Sequence, residues 1–461
     1  MPRSLVSISS QQVQALAPDE ASFGRAKKLG HARLWTGLGR SSRAIWGEFR
    51  GSRVYQVRLE TMVFASNCSC PVRKLPCKHA LALLLIAAEE PAALALRTEP
   101  DWVSDWLDRR QAAQKAKAAK ARAGAKKTVD PGAEAKRAER AEKRRKRVEE
   151  GIEQLDRWLC DLVRVGLASV EHRSPGIFEE EARRLVDAQA PGLAAWVRGL
   201  AALPLATADW PERLLHQLGR LALFVRAYRR IDTLDLALQA DLRRLCGWSV
   251  SHDSVIAQGE RRRDRFQVIA QELSEEDRVR TERTWLIGQK SGASALILRY
   301  LIGGRKSEGP ALTLGVEFDA ELAYYPGAAK QRALIVSRES APVAIRSLVG
   351  AQTIASLLDR VSLALARQPW IERFAAVLSA VAPVLEESGE LRLVDPAGDH
   401  VAVQGVDPYL LLALSGGAAI DLSGEWDGEV LRPSLAAIDG RIFNLRPGSA
   451  RSGLLSGADS V

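Results

Sequence analysis

The stretch Asn67–Ala80, N-C-S-C-P-V-R-K-L-P-C-K-H-A, limits this chain more than any other. Three of its five cysteines and one of its six histidines fall between Cys68 and His79. The spacing is C-x-C-x6-C-x-H. Structural zinc takes four nitrogen or sulfur ligands in a closed tetrahedron, and Cys3His is one of its usual sets. Residues two apart in a strand point to the same side. Cys68 and Cys70 at a strand end therefore face one ion, while Ser69 faces away. Pro71 and Pro76 flank the loop to Cys77 and reduce the entropy lost in placing the second ligand pair. His79 falls where an apolar helix begins. Arg73, Lys74 and Lys78 lie within or beside the cluster, and their charge favours thiolate over thiol. A disulfide fits poorly, because residues two apart are bad partners and a third thiol would remain. The competing reading, incidental cysteines beside a surface histidine, leaves the clustering unexplained. Cys68, Cys70, Cys77 and His79 are thus the expected ligands of a structural Zn2+. The tetrahedron is full, and no H-x-E base accompanies it, which argues against a catalytic metal.

The rest of the chain divides by pattern. With 461 residues, 46% of them hydrophobic, it has material for two to four folded units. Residues 20–108 read as a small module. V-Y-Q-V-R-L-E-T-M-V-F predicts one or two strands, with Gly51–Ser52 as a hairpin tip and a short helix from His79 to Glu90, before Pro91. Trp102 and Trp106 sit four apart, on one face of a following helix. Residues 109–150 are rich in Ala, Lys, Arg and Glu and have no apolar face, so they read as a charged helical linker broken at VDPGA. Helical spacing returns over 151–275, with helices expected at 178–189, 191–202, 211–229 and 232–246. Residues 280–450 read as mixed: strands in TWLIGQKSGASALILRYL, ALTLGVEFDAELAYYP and QRALIVSRE, helix over 345–388, then a hairpin around Asp395-Pro-Ala-Gly398 and short final strands. No repeat of 20–50 residues is visible. The expected class is α+β: a small ββα-type finger module, a charged helical linker, a helical domain and a C-terminal mixed domain.

The net charge is +10, carried by residues 1–85 and 109–150, whereas 151–461 is mildly acidic. A polyanion contact belongs in the first third. There Arg43, Arg50, Arg53, Arg73, Lys74 and Lys78 are candidate nucleic-acid contacts. Trp35 and Trp46 are interleaved with the basic residues, which suits base stacking as well as it suits a solvated surface over core tryptophans. The polar N-terminus has no apolar leader, and the longest apolar run, Ala80–Ala88, is too short to span a bilayer that needs about 20 residues. Isolated Cys160 and Cys246 suit a reducing cytoplasm.

The cluster and its surroundings resemble the SWIM zinc-finger family, whose pattern is C-x-C-x(n)-C-x-H. The resemblance includes Trp46-Gly47-Glu48, Gly51-Ser52, Tyr55, Cys68-Ser-Cys-Pro, the Lys74-x-Pro-Cys-Lys-His run and the Trp102/Trp106 pair, and is close over about 20–110. It implies a ββα finger, zinc held by Cys68, Cys70, Cys77 and His79, and contact with nucleic acid or protein. Chains of this layout also resemble companions of a MoxR-type AAA+ ATPase and a von Willebrand A protein, which implies such partners. Enzyme signatures fail. Gly303-Gly304-Arg305-Lys306-Ser307 lacks the phosphate-loop spacing, and Gly37-x-Gly39 lacks the third glycine of a dinucleotide site. His252-Asp253 has no nucleophile, and His172, His216 and His400 stand alone. The expectation is a non-enzymatic, zinc-binding interaction module or adaptor, with a DNA- or RNA-binding protein as the alternative.

Overall fold

A computed structural model describes residues 10–17, 20–61, 65–72, 76–124, 131–167, 170, 176–206, 209–276, 279–302 and 312–446. The N-terminal part is built on an antiparallel sheet in the order β1 (Trp35–Arg40), β2 (Ala44–Arg50), β3 (Val54–Glu60), β4 (Ser66–Cys68). Tyr55, Val57 and Leu59 alternate inward along β3, so the sheet has one face against the core. The helix Lys78–Glu89 lies on that face. It is apolar all round because it is buried all round: His79 to Ala87 are inaccessible, and the helices Ser10–Ala15 and Glu20–Lys27 cover its other side. On the opposite face, Trp46 and Ala44 pack with Trp102, Val103, Trp106 and Leu107 of the helix Asp101–Gly124. Gly39 is required there, since a Cβ would stand 2.7 Å from the Trp46 ring. The finger itself thus has the ββα order (β3, β4, helix), with two further strands extending its sheet.

The charged run is helical on both sides of 125–130, in Asp101–Gly124 and Pro131–Val165. Its last turns are not free. Val148 is buried in the helical core, and Arg144 lies 5.0 Å over the Trp248 ring while donating to the Gln189 and Gly247 carbonyls. That core gathers Pro131–Val165, Gly176–Asp187, Pro191–Gly199, Trp210–Arg229 and Leu236–Leu245. Gly192 lets two of them meet end to end: a Cβ would sit 2.2 Å from the Leu245 carbonyl.

Two segments differ from the helical expectation. Arg261–Glu276 is a strand (β5) and so is Phe374–Leu385 (β11). Over 345–388, only Ile354–Arg367 is helical. Both strands bury consecutive residues on both faces, Phe266–Ala270 and Phe374–Leu378, so the two-residue alternation that identifies a strand is absent.

The strands β5 to β9 (β6 Val279–Gly288, β7 Ser294–Ile302, β8 Val316–Tyr324, β9 Ala333–Arg338) wrap round. β5 pairs with β6 and β8, β6 with β7, and β8 with β9 and with the two-residue β10 (Val343–Ala344). A parallel bridge, Leu296 to Arg332, closes β7 on β9. The strands β11 to β15 (β12 Leu391–Val394, β13 His400–Val403, β14 Ile420–Trp426, β15 Val430–Ile438) repeat the scheme: β11 with β12 and β14, β12 with β13, β14 with β15, and β13 parallel to β15. Each is a five-stranded Greek-key barrel with strand cycle 1-2-3-5-4, the connectivity of oligonucleotide/oligosaccharide-binding barrels. The two share a core to which Ala375, Val377 and Leu435 of the second contribute.

Their junction is polar at its centre. Glu425, fully buried, accepts from Arg283 Nε (3.0 Å) and Nη2 (3.0 Å) and from Trp285 Nε1 (2.8 Å). Ser423 Oγ donates to the Ile269 carbonyl at 2.7 Å.

Candidate metal centre

Each ligand is placed by an element that the local sequence explains. Cys68 ends β4, opposite Val57 of β3. Beyond it, Ser69 stays docked on β3: its N–H donates to the Gln56 carbonyl (3.1 Å) and its Oγ accepts from the Gln56 N–H (2.9 Å). This extended pairing aims Cys68 and Cys70 to one side. Cys77 is the N-cap of the buried helix and His79 its second residue. The four side chains offer ligand atoms that all lie within 4.8 Å of one another. Cys77 and His79 are buried, Cys68 and Cys70 half-buried.

The geometry fits zinc. Zn–S of about 2.3 Å and Zn–N of about 2.0–2.1 Å put a tetrahedral S···N edge near ~3.6 Å. Cys68 Sγ to His79 Nδ1 is 3.7 Å. It is therefore Nδ1 that faces the sulfurs. The imidazole is gripped by Tyr55, nearly parallel at 5.0 Å, and by Phe49 at 5.1 Å. Ser52 Oγ and Tyr55 Oη are hydrogen-bonded at 2.7 Å, which steadies the ring that stacks on the ligand. Neither aromatic follows from the C-x-C-x6-C-x-H spacing, although Tyr55 is among the residues of the SWIM resemblance.

The thiols favour a cation. The hydrogen bond to Cys68 is the largest influence on Cys77 and brings it down to about 4 against the opposing effect of burial. The same contact pushes Cys68 far up, and burial raises Cys70. Three sulfurs this close share negative charge poorly, and a divalent ion removes the conflict by binding all three as thiolates. The causes differ from those expected of Lys78: what lowers Cys77 is Cys68, His79, the Ala80 amide and Cys70.

The candidate nucleic-acid contacts that are described sit in different surroundings. Arg43 is held by Glu99 and by Asp108 at 2.9 Å, which raises its already high pKa and occupies its donors. Arg50 and Arg53 are exposed around the β2–β3 turn, and Arg53 lies 6.0 Å from the Tyr55 ring centre. Lys78 is half-buried. Arg73 and Lys74 lie outside the described residues, as do His172 and 303–307. Trp35 and Trp46 are core residues, and Trp35 Nε1 donates to the Leu29 carbonyl at 2.7 Å. They offer no face to a base. Arg58, another of the basic residues before the finger, is enclosed: it lies 5.4 Å from Trp102 and 5.7 Å from Trp106 and donates to the Trp102 carbonyl and Asn67 Oδ1. No helix among the described residues is long and apolar enough to cross a membrane.

Comparison with known proteins agrees with the geometry. Residues 55–88 match the family model of the SWIM zinc finger, and 143–246 match that of the SWIM-associated four-helix bundle domain. No curated protein and no solved structure matches the chain. With its Cys3His site in the first matched segment and its helical core in the second, the chain carries a SWIM zinc finger and a SWIM-associated four-helix bundle domain.

Proposed function

We propose that the chain is a non-enzymatic adaptor of the cytoplasm, in which a structural zinc holds a rigid N-terminal module to which a protein partner binds. The observation that carries this reading is the closed ligand set. Three sulfurs and one imidazole nitrogen fill the tetrahedron and leave no position for water, so the ion shapes a surface rather than activating a substrate. Two further observations favour a protein over a nucleic acid at the finger: its tryptophans are buried, and Arg43 is already paired with carboxylates. The partner class implied by the family resemblance is an AAA+ ATPase with a von Willebrand A protein.

The test is affinity purification of the tagged full chain from native lysate, with mass spectrometry and metal analysis of the same eluate. An ATPase recovered with wild type, and lost from a zinc-free ligand variant, supports the adaptor. Equal recovery by both disconnects the partner from the finger. A second reading rests on the exposed basic face of Pro131–Val165, where Arg140, Lys146 and Arg147 face solvent. Binding of labelled DNA or RNA with a steep negative salt dependence would support it.

A further inference from the structure

The two C-terminal barrels match residue by residue where the first strand meets the fourth. In the first, Phe266 of β5 pairs with Phe318 of β8; in the second, Phe374 of β11 pairs with Trp426 of β14. Both partners are displaced by the same 108 residues (266 to 374, 318 to 426). The neighbours repeat too. Arg265 binds Glu317 at 2.7 Å and Asp319 at 3.3 Å, and Arg373 meets Glu425 at 3.9 Å and Asp427 at 3.0 Å. In sequence these are D-R-F with E-F-D and E-R-F with E-W-D. Same connectivity, same offset and same charged triad describe one barrel present twice.

The copies differ at one place that bears on function. Three residues before the repeated arginine stands Arg262 in the first barrel and Trp370 in the second. Trp370 is sunk into the helical core, 5.9 Å from Phe224, with Nε1 donating to the Arg220 carbonyl at 3.1 Å. That corner of the second barrel is spent on joining it to the bundle. In the first barrel the same corner is open. A cavity of about 280 Å³ is lined there by Glu260, Arg262, Ser294, Tyr324, Lys330 and Arg360. Three cations face one carboxylate. Glu260 is bonded to Lys330 and, at 3.3 Å, to Arg262. Arg360 has no such relief. Its Nη2 donates to the Ala375 carbonyl at 2.6 Å, and among the described residues no carboxylate pairs with it. A half-buried guanidinium with spare N–H groups, at the wall of a cationic hollow, is short of an anion.

We propose that the open corner of the first barrel binds a phosphate-type oxyanion, with Arg360 as anchor and Arg262 and Lys330 closing around it. The chemistry is shared by a free phosphorylated molecule and by the backbone of a single strand, and the experiment separates them.

Full-length zinc-loaded protein is titrated calorimetrically with pyrophosphate at low ionic strength, and then with a short oligothymidylate. Saturable pyrophosphate binding is expected. Arg360→Met should weaken it by at least about tenfold, the share of one charged hydrogen-bonding group. Lys330→Met, on the exposed rim, serves as the second variant should Arg360→Met lose its native circular dichroism. An oligothymidylate that competes at comparable affinity assigns the site to strand phosphate; one that fails to compete assigns it to a free phosphorylated ligand. Absence of saturable binding by both probes overturns the proposal, and so does unchanged affinity in well-folded Arg360→Met and Lys330→Met proteins. Zinc content and partner recovery are independent of every one of these outcomes.

Discussion

Replacing Glu425 by alanine tests how the two barrels are held together. In the native protein, this inaccessible carboxylate is the acceptor for Arg283 and for the buried Trp285 indole N–H. Arg283 is itself only 19% exposed, so water replaces little of what alanine removes. Leaving a buried ion without its partner costs about 3–5 kcal/mol. An orphaned indole N–H costs a further 1–3, roughly, when counted alone. The two share one acceptor and do not add, so we take about 4 kcal/mol. For a β region of this size, that is a fall of about 10 °C in the melting temperature. The assay is thermal unfolding of the full chain followed by near-ultraviolet circular dichroism, where Trp285 contributes directly. Glu425→Gln, which keeps an acceptor for the indole but loses the charge, should fall between the two. The double variant Arg283→Met/Glu425→Leu should recover much of the loss, since deleting both ions removes the desolvation penalty as well. A Glu425→Ala protein that melts within a degree or two of wild type would refute the reasoning, as would a double variant no better than the single.

Two further outcomes are expected. Cys77→Ser removes the most buried thiolate ligand; with structural zinc worth about 10–16 kcal/mol in apparent terms, the full chain should lose stoichiometric zinc on metal analysis and gain early proteolytic cuts before residue 108. Retention of one zinc per chain would remove Cys77 from the ligand set. The second concerns acid. Burial pushes Asp264 up, but the Ser291 hydroxyl and the amides of Ser291, Lys290 and Arg265 outweigh it and hold the carboxyl below its usual range. A depressed carboxyl stabilises above its unfolded value, near pH ~4, and that contribution is lost as pH falls through the lower folded value. Asp264→Asn should flatten the acid limb of the melting curve below pH ~4, and parallel limbs in the two proteins would contradict this.

The metal site was legible because ligand chemistry is local: four residues within twelve positions, spaced by strand and helix geometry, needed no tertiary information. The helices Gly176–Asp187 and Trp210–Arg229 were legible for the related reason that one face is wet and the other dry. What stayed hidden was whatever depends on distant chain. Phe49 grips His79 from across a sheet. β5 and β11 look helical because both their faces are covered by segments far away in sequence. The barrel repeat leaves only a short Arg-Phe and Glu-x-Asp echo at a separation of 108, and it becomes readable once strand pairing shows which residues meet. Arg43 is hidden in the same way: it stands in a basic segment, and the carboxylates of Glu99 and Asp108 that pair with it lie more than fifty positions away.

The helix that carries His79 has no side turned to water. Its start supplies two of the four bonds to the ion, and its flanks support a sheet on one side and a helix pair on the other. Stripping the metal therefore does not loosen a fingertip. It unpins the start of the post around which the N-terminal core packs, so the stability of the N-terminal module rises and falls with the supply of zinc.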